Sequence, residues 1–152
     1  MMLGLPGSGK TTFSKHLQME LGLKRFAIDE EYSKLGANLR SKQWDFEISA
    51  KAGIKIKQQT TDLISLGESV ILDLCPWNRD KRSEYRAFIE SLGAECHIYY
   101  FKVNKEELLQ RLAVRNSSGE DYYVVTPSML DDFIEEFDEP IDEEVELVRY
   151  DL

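Results

Sequence analysis

Gly4-Leu5-Pro6-Gly7-Ser8-Gly9-Lys10-Thr11 is the stretch on which the reading of this 152-residue chain turns. It satisfies G-x-x-x-x-G-K-[ST] at every fixed position. The chemistry asks for these residue types. Glycines let the backbone curl until successive N–H groups point inward at phosphate oxygens. A helix starting near Lys10 adds its positive end to the same spot. Lys10 supplies a mobile charge for β- and γ-phosphates, and the Thr11 hydroxyl is placed to ligate Mg²⁺. Leu5, Pro6 and Ser8 fill the loop, and Thr12 is placed for the α-phosphate. Apolar residues before Gly4 and an amphipathic run after Lys10 give the strand–loop–helix context that the motif requires. The sequence therefore predicts a nucleotide-binding loop.

Outward from the loop, apolar runs alternate with amphipathic stretches. Phe13, Leu17 and Leu21 recur every four residues and predict a helix over 10–21, stopped by Gly22. A short strand is expected at 26–28, ending at Asp29, with a helix over 30–35 to follow. Trp44, Ile48, Ile56, Leu63 and Leu66 fit one broad helical face that ends at Gly67. Val70-Ile71-Leu72 reads as a buried strand running into Asp73. Helices are expected over 80–92 and 105–115, with an aromatic, β-branched strand over 96–103 between them. Thr126-Pro127 has the form of a helix cap and first turn, Pro140 closes that helix, and 145–148 suit a last strand. This alternation predicts a single α/β domain over 1–152: three α/β/α layers on a five-stranded parallel sheet of order 2-3-1-4-5. A short helical lid is expected at about 111–127. The first strand is short at three residues: either the sheet tolerates that, or the natural chain begins upstream of Met1.

Composition sets limits. Hydrophobic residues make up 42% and charged residues 31%, as in ordinary globular chains. No run approaches the roughly 18 apolar residues of a membrane span. Cys75 and Cys96 lack metal-ligand spacing and no signal peptide is visible, so a cytoplasmic protein with reduced thiols is expected. Net charge is −9, but the excess is local: residues 130–152 hold eleven acids against Arg149 alone, whereas the first 129 carry 18 bases and 17 acids. A basic nucleic-acid footprint is absent, so nucleic acid is not the expected partner. The acidic stretch reads first as a solvated face, and second as a set of carboxylates that pair with cations near the lid.

The loop alone does not choose among kinase, switch and motor. The guanine-reading N-K-x-D is absent, and there is no second ATPase subdomain. A small kinase remains, and it needs a base, a metal carboxylate and mobile cations. Asp29 ends the second strand, where a doubly wound sheet places its ligand crevice, and is the expected base. An N-cap role for Asp29 competes with this, as do Glu30 and Glu31 for the base. Asp73 ends the third strand and is expected to hold Mg²⁺, with a buried structural acid as the alternative. Arg111 and Arg115, four apart before a glycine-containing loop, suit a lid that clamps phosphates; a solvated helix end is the plainer reading. Arg79 and Arg82 follow Asp73, and one of them is expected to meet phosphate or substrate. His16 and His97 read as scaffold.

Taken together, these stretches resemble the small bacterial P-loop ATP-binding proteins and predicted kinases related to zeta toxin, chloramphenicol phosphotransferase and phage polynucleotide kinase. The likeness runs through the loop at 4–12, Ile28-Asp29-Glu30-Glu31-Tyr32, Leu72-Asp73 with Arg79 and Arg82 beyond it, Arg111 and Arg115, and 125–140. The resemblance implies a general base at Asp29, phosphate clamps at Arg111 and Arg115, and transfer of the γ-phosphate of MgATP to a hydroxyl. The implied partner is a small-molecule acceptor, bound by a monomer or simple homodimer. A 5′-hydroxyl polynucleotide kinase and a slow ATP-dependent switch are the competing readings. The first test is direct: Lys10→Ala should weaken MgATP binding at least roughly tenfold, about 1.4 kcal/mol, by titration calorimetry. Unchanged affinity in the folded variant contradicts the loop assignment.

Overall fold

The structure is a computed structural model, and it describes residues 1–37, 45–118 and 124–149. Among the described residues, five strands and six helices follow in the order β1 (Met2–Leu3), α1 (Lys10–Leu21), β2 (Lys24–Ala27), α2 (Ile28–Lys34), α3 (Phe46–Ser65), β3 (Val70–Asp73), α4 (Arg79–Ser91), β4 (Tyr99–Phe101), α5 (Lys105–Ser118), α6 (Pro127–Glu136) and β5 (Glu146–Val148). All recorded strand pairs are parallel. Trp44 and the middle of the expected lid, 119–123, lie outside the described residues.

Side-chain alternation along the strands builds the layers. Met2, Ile71 and Phe101 point to one face, where Phe13 and Leu17 of α1 cover them. Leu3, Leu72 and Tyr100 point to the other, where Ile56 of α3 and Ile89 of α4 close the core. Leu108 and Leu112 of α5 form a third cluster with Val125 and Leu130. Helices therefore cover both faces, as the strand–helix alternation predicts.

The sheet resolves into two hydrogen-bonded ladders, β2-β3 and β1-β4-β5, instead of one continuous set of five strands. The reason is the length of β1. Its two residues pair with Tyr99 and Tyr100 of β4, and it lies against β3 without a ladder. β4 is also shorter than the 96–103 run suggests: at its near flank the Cys96 carbonyl accepts from the Arg86 side chain instead of from a strand partner.

Local chemistry explains the helix starts. The Asp45 carboxylate accepts from the Glu47 and Ile48 amides, both at 3.0 Å, and the Asn78 side chain accepts from Lys81 N at 2.8 Å. Thr126 caps α6, with Pro127 in its first turn. α2 differs from expectation by starting at Ile28, with Ala27 as its cap, so Asp29 is a first-turn residue and not the N-cap.

The acidic C-terminal stretch is not merely a solvated face. Asp131 pairs with Lys105, Glu139 with Lys102, and Glu146 with His97. Glu143 receives a two-pronged contact from Arg82, at 2.8 Å from Nε and 2.6 Å from a terminal nitrogen. Arg82 is buried to 1% exposure and also donates to the Pro76 and Trp77 carbonyls. Its guanidinium thus locks the loop after β3 to the C-terminal segment.

Removing one partner of a buried ion pair is expensive, so Arg82→Ala should cost about 3 kcal/mol in urea unfolding. The pH dependence has a fixed sign. Arg82 holds the Glu143 carboxyl below its ordinary value of 4.5. The pair's contribution is therefore full above that value and is lost as pH falls through the depressed one. The stability gap between wild type and variant should narrow in acid; a gap that is constant with pH contradicts this account.

Candidate functional site

The loop after β1 is shaped by two close approaches. A Cβ on Gly4 (φ 147°) would lie 2.7 Å from the Phe101 carbonyl oxygen and 2.9 Å from Ser8 Oγ. A Cβ on Gly7 (φ 83°) would meet Leu112 Cγ at 3.0 Å. Only glycine accepts both the left-handed backbone and the contact. Ser8 is buried and its amide donates to the Leu5 carbonyl at 3.2 Å, which closes the turn. Lys10 Nζ donates to the Leu5 carbonyl at 2.8 Å and to Ser8 Oγ at 3.4 Å. The lysine rests on oxygens of its own loop, in the role a phosphate oxygen would fill.

The start of α1 is the loop's second asset. It has no side-chain cap and no acid in its first turn, whereas α2 carries Asp29, Glu30 and Glu31 there. The uncapped amides of this twelve-residue helix leave its positive end for an external anion. Thr11 and Thr12 are exposed on that first turn. The loop thus fits a nucleotide phosphate chain. Among the described residues, no group of three or more His, Cys, Asp or Glu side chains could hold a metal. A site made from the Thr11 hydroxyl, one carboxylate, phosphate oxygens and water is the arrangement Mg²⁺ favours.

Strand register brings the two aspartates to one edge. Ala27 pairs with Asp73, so Asp29, in the first turn of α2, lies just beyond the end of β2, beside the end of β3. Asp73 is buried, and its Oδ2 accepts from Ser14 Oγ at 2.9 Å and Arg25 at 3.0 Å. Ser14 has one proton for two acceptors, Asp73 and the Thr11 carbonyl, and receives Arg25 Nε at 2.8 Å. Asp29 is reachable from solvent yet ringed by protein. Crowding by that protein pushes its carboxyl above the ordinary carboxylate value, and the Asp73 charge pushes further. Lys10 and Arg115 pull it back. Asp29, Lys10, Asp73 and Arg115 therefore sense one another.

The remaining arginines divide. Arg111 and Arg115 lie on α5, the helix whose Leu112 abuts Gly7, and Arg111 also pairs with Glu107. Asn116 donates to the Val125 carbonyl at 2.9 Å, joining the end of α5 to the segment before α6. Arg79 stands at the exposed start of α4, where its amide donates to Asp138. Arg82 has the structural engagement described above. A cleft of about 330 Å³ opens on the β2 edge between α2 and α3, lined by Arg25, Glu30, Lys34, Lys55 and Gln59 but by no residue of 4–12.

Residues 1–140 match the family described as AAA domain. This chain belongs to that family. The AAA domain is also 26% identical over 112 residues to a shikimate kinase of Buchnera aphidicola, covering 72% of this chain; it spans 61% of that relative's length. Two solved structures share its fold. A candidate kinase of Chloroflexus aurantiacus matches with a TM-score of 0.74 and 18% identity, over 97% of this chain and 84% of that one. Kti12 of Chaetomium thermophilum, solved with ADP-AlF3, matches with a TM-score of 0.70 and 17% identity, over 99% and 88%. No described helix of the AAA domain is long and apolar enough to cross a membrane.

Three site residues escape a sequence reading. Arg25 and Ser14 sit in stretches that look like a strand edge and a helix interior. Cys75 occupies a left-handed conformation (φ 48°) and its thiol donates to the Gly4 carbonyl at 3.0 Å. The only sequence signal is its place two residues after Asp73.

The raised Asp29 carboxyl yields a stability test. Ionising it costs more in the folded AAA domain than in the unfolded chain, so it detracts from stability once pH exceeds the folded value. Asp29→Asn should raise the melting temperature at neutral pH, with the gain vanishing in acid. A loss of stability at neutral pH contradicts this environment for Asp29.

Proposed function

We propose that this AAA domain is a MgATP-dependent kinase that transfers the γ-phosphate to a hydroxyl of a small molecule. The observation that carries the reading is the placement of Asp29, two residues past the end of β2 beside the end of β3 and within electrostatic reach of Lys10, Arg115 and Asp73, where its surroundings raise its carboxyl. A switch that only binds nucleotide has no use for a base there. The likeness to a shikimate kinase supports an alcohol acceptor.

In this reading, residues 4–9 cradle the phosphates through backbone N–H groups and Thr12 contacts the α-phosphate. Lys10 leaves the Leu5 carbonyl for the β- and γ-phosphates. Thr11 and Asp73 would hold Mg²⁺, which would supply positive charge against the phosphates. The acceptor hydroxyl gives its proton to Asp29 as its oxygen bonds to the γ-phosphorus, and the bond from that phosphorus to the bridging oxygen breaks to leave ADP. Arg111 and Arg115 stabilise the charge that develops on the transferring group, and Arg79 supplies a further cation at the mouth of the crevice. A lid at about 111–127 would exclude water during transfer.

Further expectations belong to the same reading. Contact between β1 and β3 supports the strand order 2-3-1-4-5. The shared motifs support a narrower kinship with zeta toxin, chloramphenicol phosphotransferase and phage polynucleotide kinase. The near-neutral charge of the first 129 residues favours a small acceptor over a polynucleotide end. A monomer or simple homodimer in the cytoplasm fits the composition.

The test is a metabolite pool incubated with MgATP and read by mass spectrometry for phosphorylated products, beside an acceptor-free control. Wild type should form an acceptor-dependent product. Asp29→Asn should bind ATP as tightly yet form it roughly 10²–10⁴ times more slowly. Hydrolysis alone, with no acceptor-dependent product, overturns the kinase reading in favour of a switch.

A further inference from the structure

Arg25 is the least expected charge in the molecule. It stands on β2, whose one recorded ladder is to β3, and its side chain is only 4% exposed. Its guanidinium reaches three other elements at once. Nε donates to Ser14 Oγ of α1 at 2.8 Å, one terminal nitrogen to Asp73 Oδ2 of β3 at 3.0 Å, and the other to Glu30 Oε1 of α2 at 2.7 Å. A planar fork with fixed donor directions can satisfy three acceptors in this way; an ammonium, as a point charge, cannot.

The three acceptors are not scattered. Ser14 lies on the helix that begins at Lys10, one turn from Thr11, whose carbonyl it also contacts. Asp73 is the buried carboxylate at the strand edge. Glu30 is the neighbour of Asp29 in the first turn of α2, a helix of seven residues with no side-chain cap. Such a short helix cannot hold its own first turn firmly. Its orientation depends on what grips it: Tyr32 and Glu31 tie it to Asp45 and to Lys55 of α3, and Arg25 grips its first turn through Glu30. The same guanidinium is the cation that the buried Asp73 carboxylate faces, at 3.0 Å.

We propose that Arg25 is a positioning residue for phosphoryl transfer, setting the placement of Asp29 relative to Asp73 by holding Asp73 directly and the first turn of α2 through Glu30. The proposal rests on the kinase reading for its catalytic consequence, but not for its structural one. It assigns Arg25 no contact with nucleotide, acceptor or metal. It acts through the groups it holds, so its loss should fall on turnover and spare ATP binding. Misplacement of reacting groups by about 1 Å can cost on the order of a hundredfold in rate.

The experiment uses two single variants and the double variant of the full chain. Glu30→Gln is the mild probe: Glu30 is 46% exposed, and the change removes only the charged tie to α2. Arg25→Lys keeps the charge and loses the fork. Each is measured for kcat, KM for ATP, and amide hydrogen exchange over α1, α2 and β3. The expected result is a fall in kcat of roughly threefold to tenfold for Glu30→Gln and at least roughly tenfold for Arg25→Lys. KM for ATP should stay within about twofold, and the double variant should be no worse than Arg25→Lys alone, since both act on one tie. Exchange should quicken at the hydrogen-bonded amides of α2, from Tyr32 to Leu35, while α1 stays protected.

Wild-type kcat in both folded single variants overturns the proposal, as does a parallel loss of ATP binding and turnover. If Arg25→Lys fails to fold, Glu30→Gln decides alone. If the wild type transfers phosphate to no acceptor, the kinase reading falls separately. The exchange measurement then still decides whether Arg25 fixes α2: unchanged protection in the Glu30→Gln variant refutes it.

Discussion

Gly4 under the Phe101 carbonyl and Gly7 against Leu112 are the two contacts on which the rest of the structure depends. A loop that binds phosphate through its backbone must hold that backbone rigid without side chains of its own to pack. Here the rigidity is borrowed from β4 on one side and α5 on the other. The loop delivers the chain into α1 through Gly9, also in a left-handed conformation. α1 in turn covers one face of the sheet with Phe13 and Leu17. Because α5 is pressed on the loop, the helix that carries Arg111 and Arg115 is placed by the same contact that shapes the phosphate cradle. Shape and chemistry are not separable at this point of the fold.

Electrostatics make the second constraint. Two aspartates at the ends of neighbouring parallel strands repel each other, and crowding at the crevice raises the cost of ionising Asp29. The molecule answers with cations of different kinds. Arg25 is buried and tied to Asp73 and Glu30. Lys10 is flexible and rests on carbonyl oxygen, free to move to a phosphate. Fixed charge holds the architecture, and mobile charge is kept for the ligand. A carboxyl held above its ordinary value is a poor choice for stability and a good one for taking a proton.

Much of this was legible from local pattern. The motif marked the loop and the start of α1, and the four-residue spacing of Phe13, Leu17 and Leu21 with Gly22 marked its end. Apolar runs that stop at Asp29 and Asp73 located the strand edge, because side-chain alternation and strand termination are properties of a short window. What was not legible depends on partners distant in sequence. Nothing around Arg25 says that its acceptors are residues 14, 30 and 73. Arg82 reads as a crevice cation until Glu143, 61 residues later, is seen to bury it. The acidic C-terminal stretch looks like solvated surface because its cations lie on other elements. The split of the sheet follows from the two-residue β1, whose partners only tertiary structure reveals. Part of the lid falls outside the described residues, so the sequence expectation there stands unmodified.

In the proposed kinase, the loop, Asp29 and Asp73 form a single site for the phosphates of ATP. The most direct test is a crystal structure with Mg²⁺ and a non-hydrolysable ATP analogue. The account predicts that Lys10 Nζ leaves the Leu5 carbonyl for β- and γ-phosphate oxygens, and that the Asp29 carboxylate faces the terminal phosphate. Lys10 still bound to Leu5, or a terminal phosphate turned away from Asp29, would contradict it.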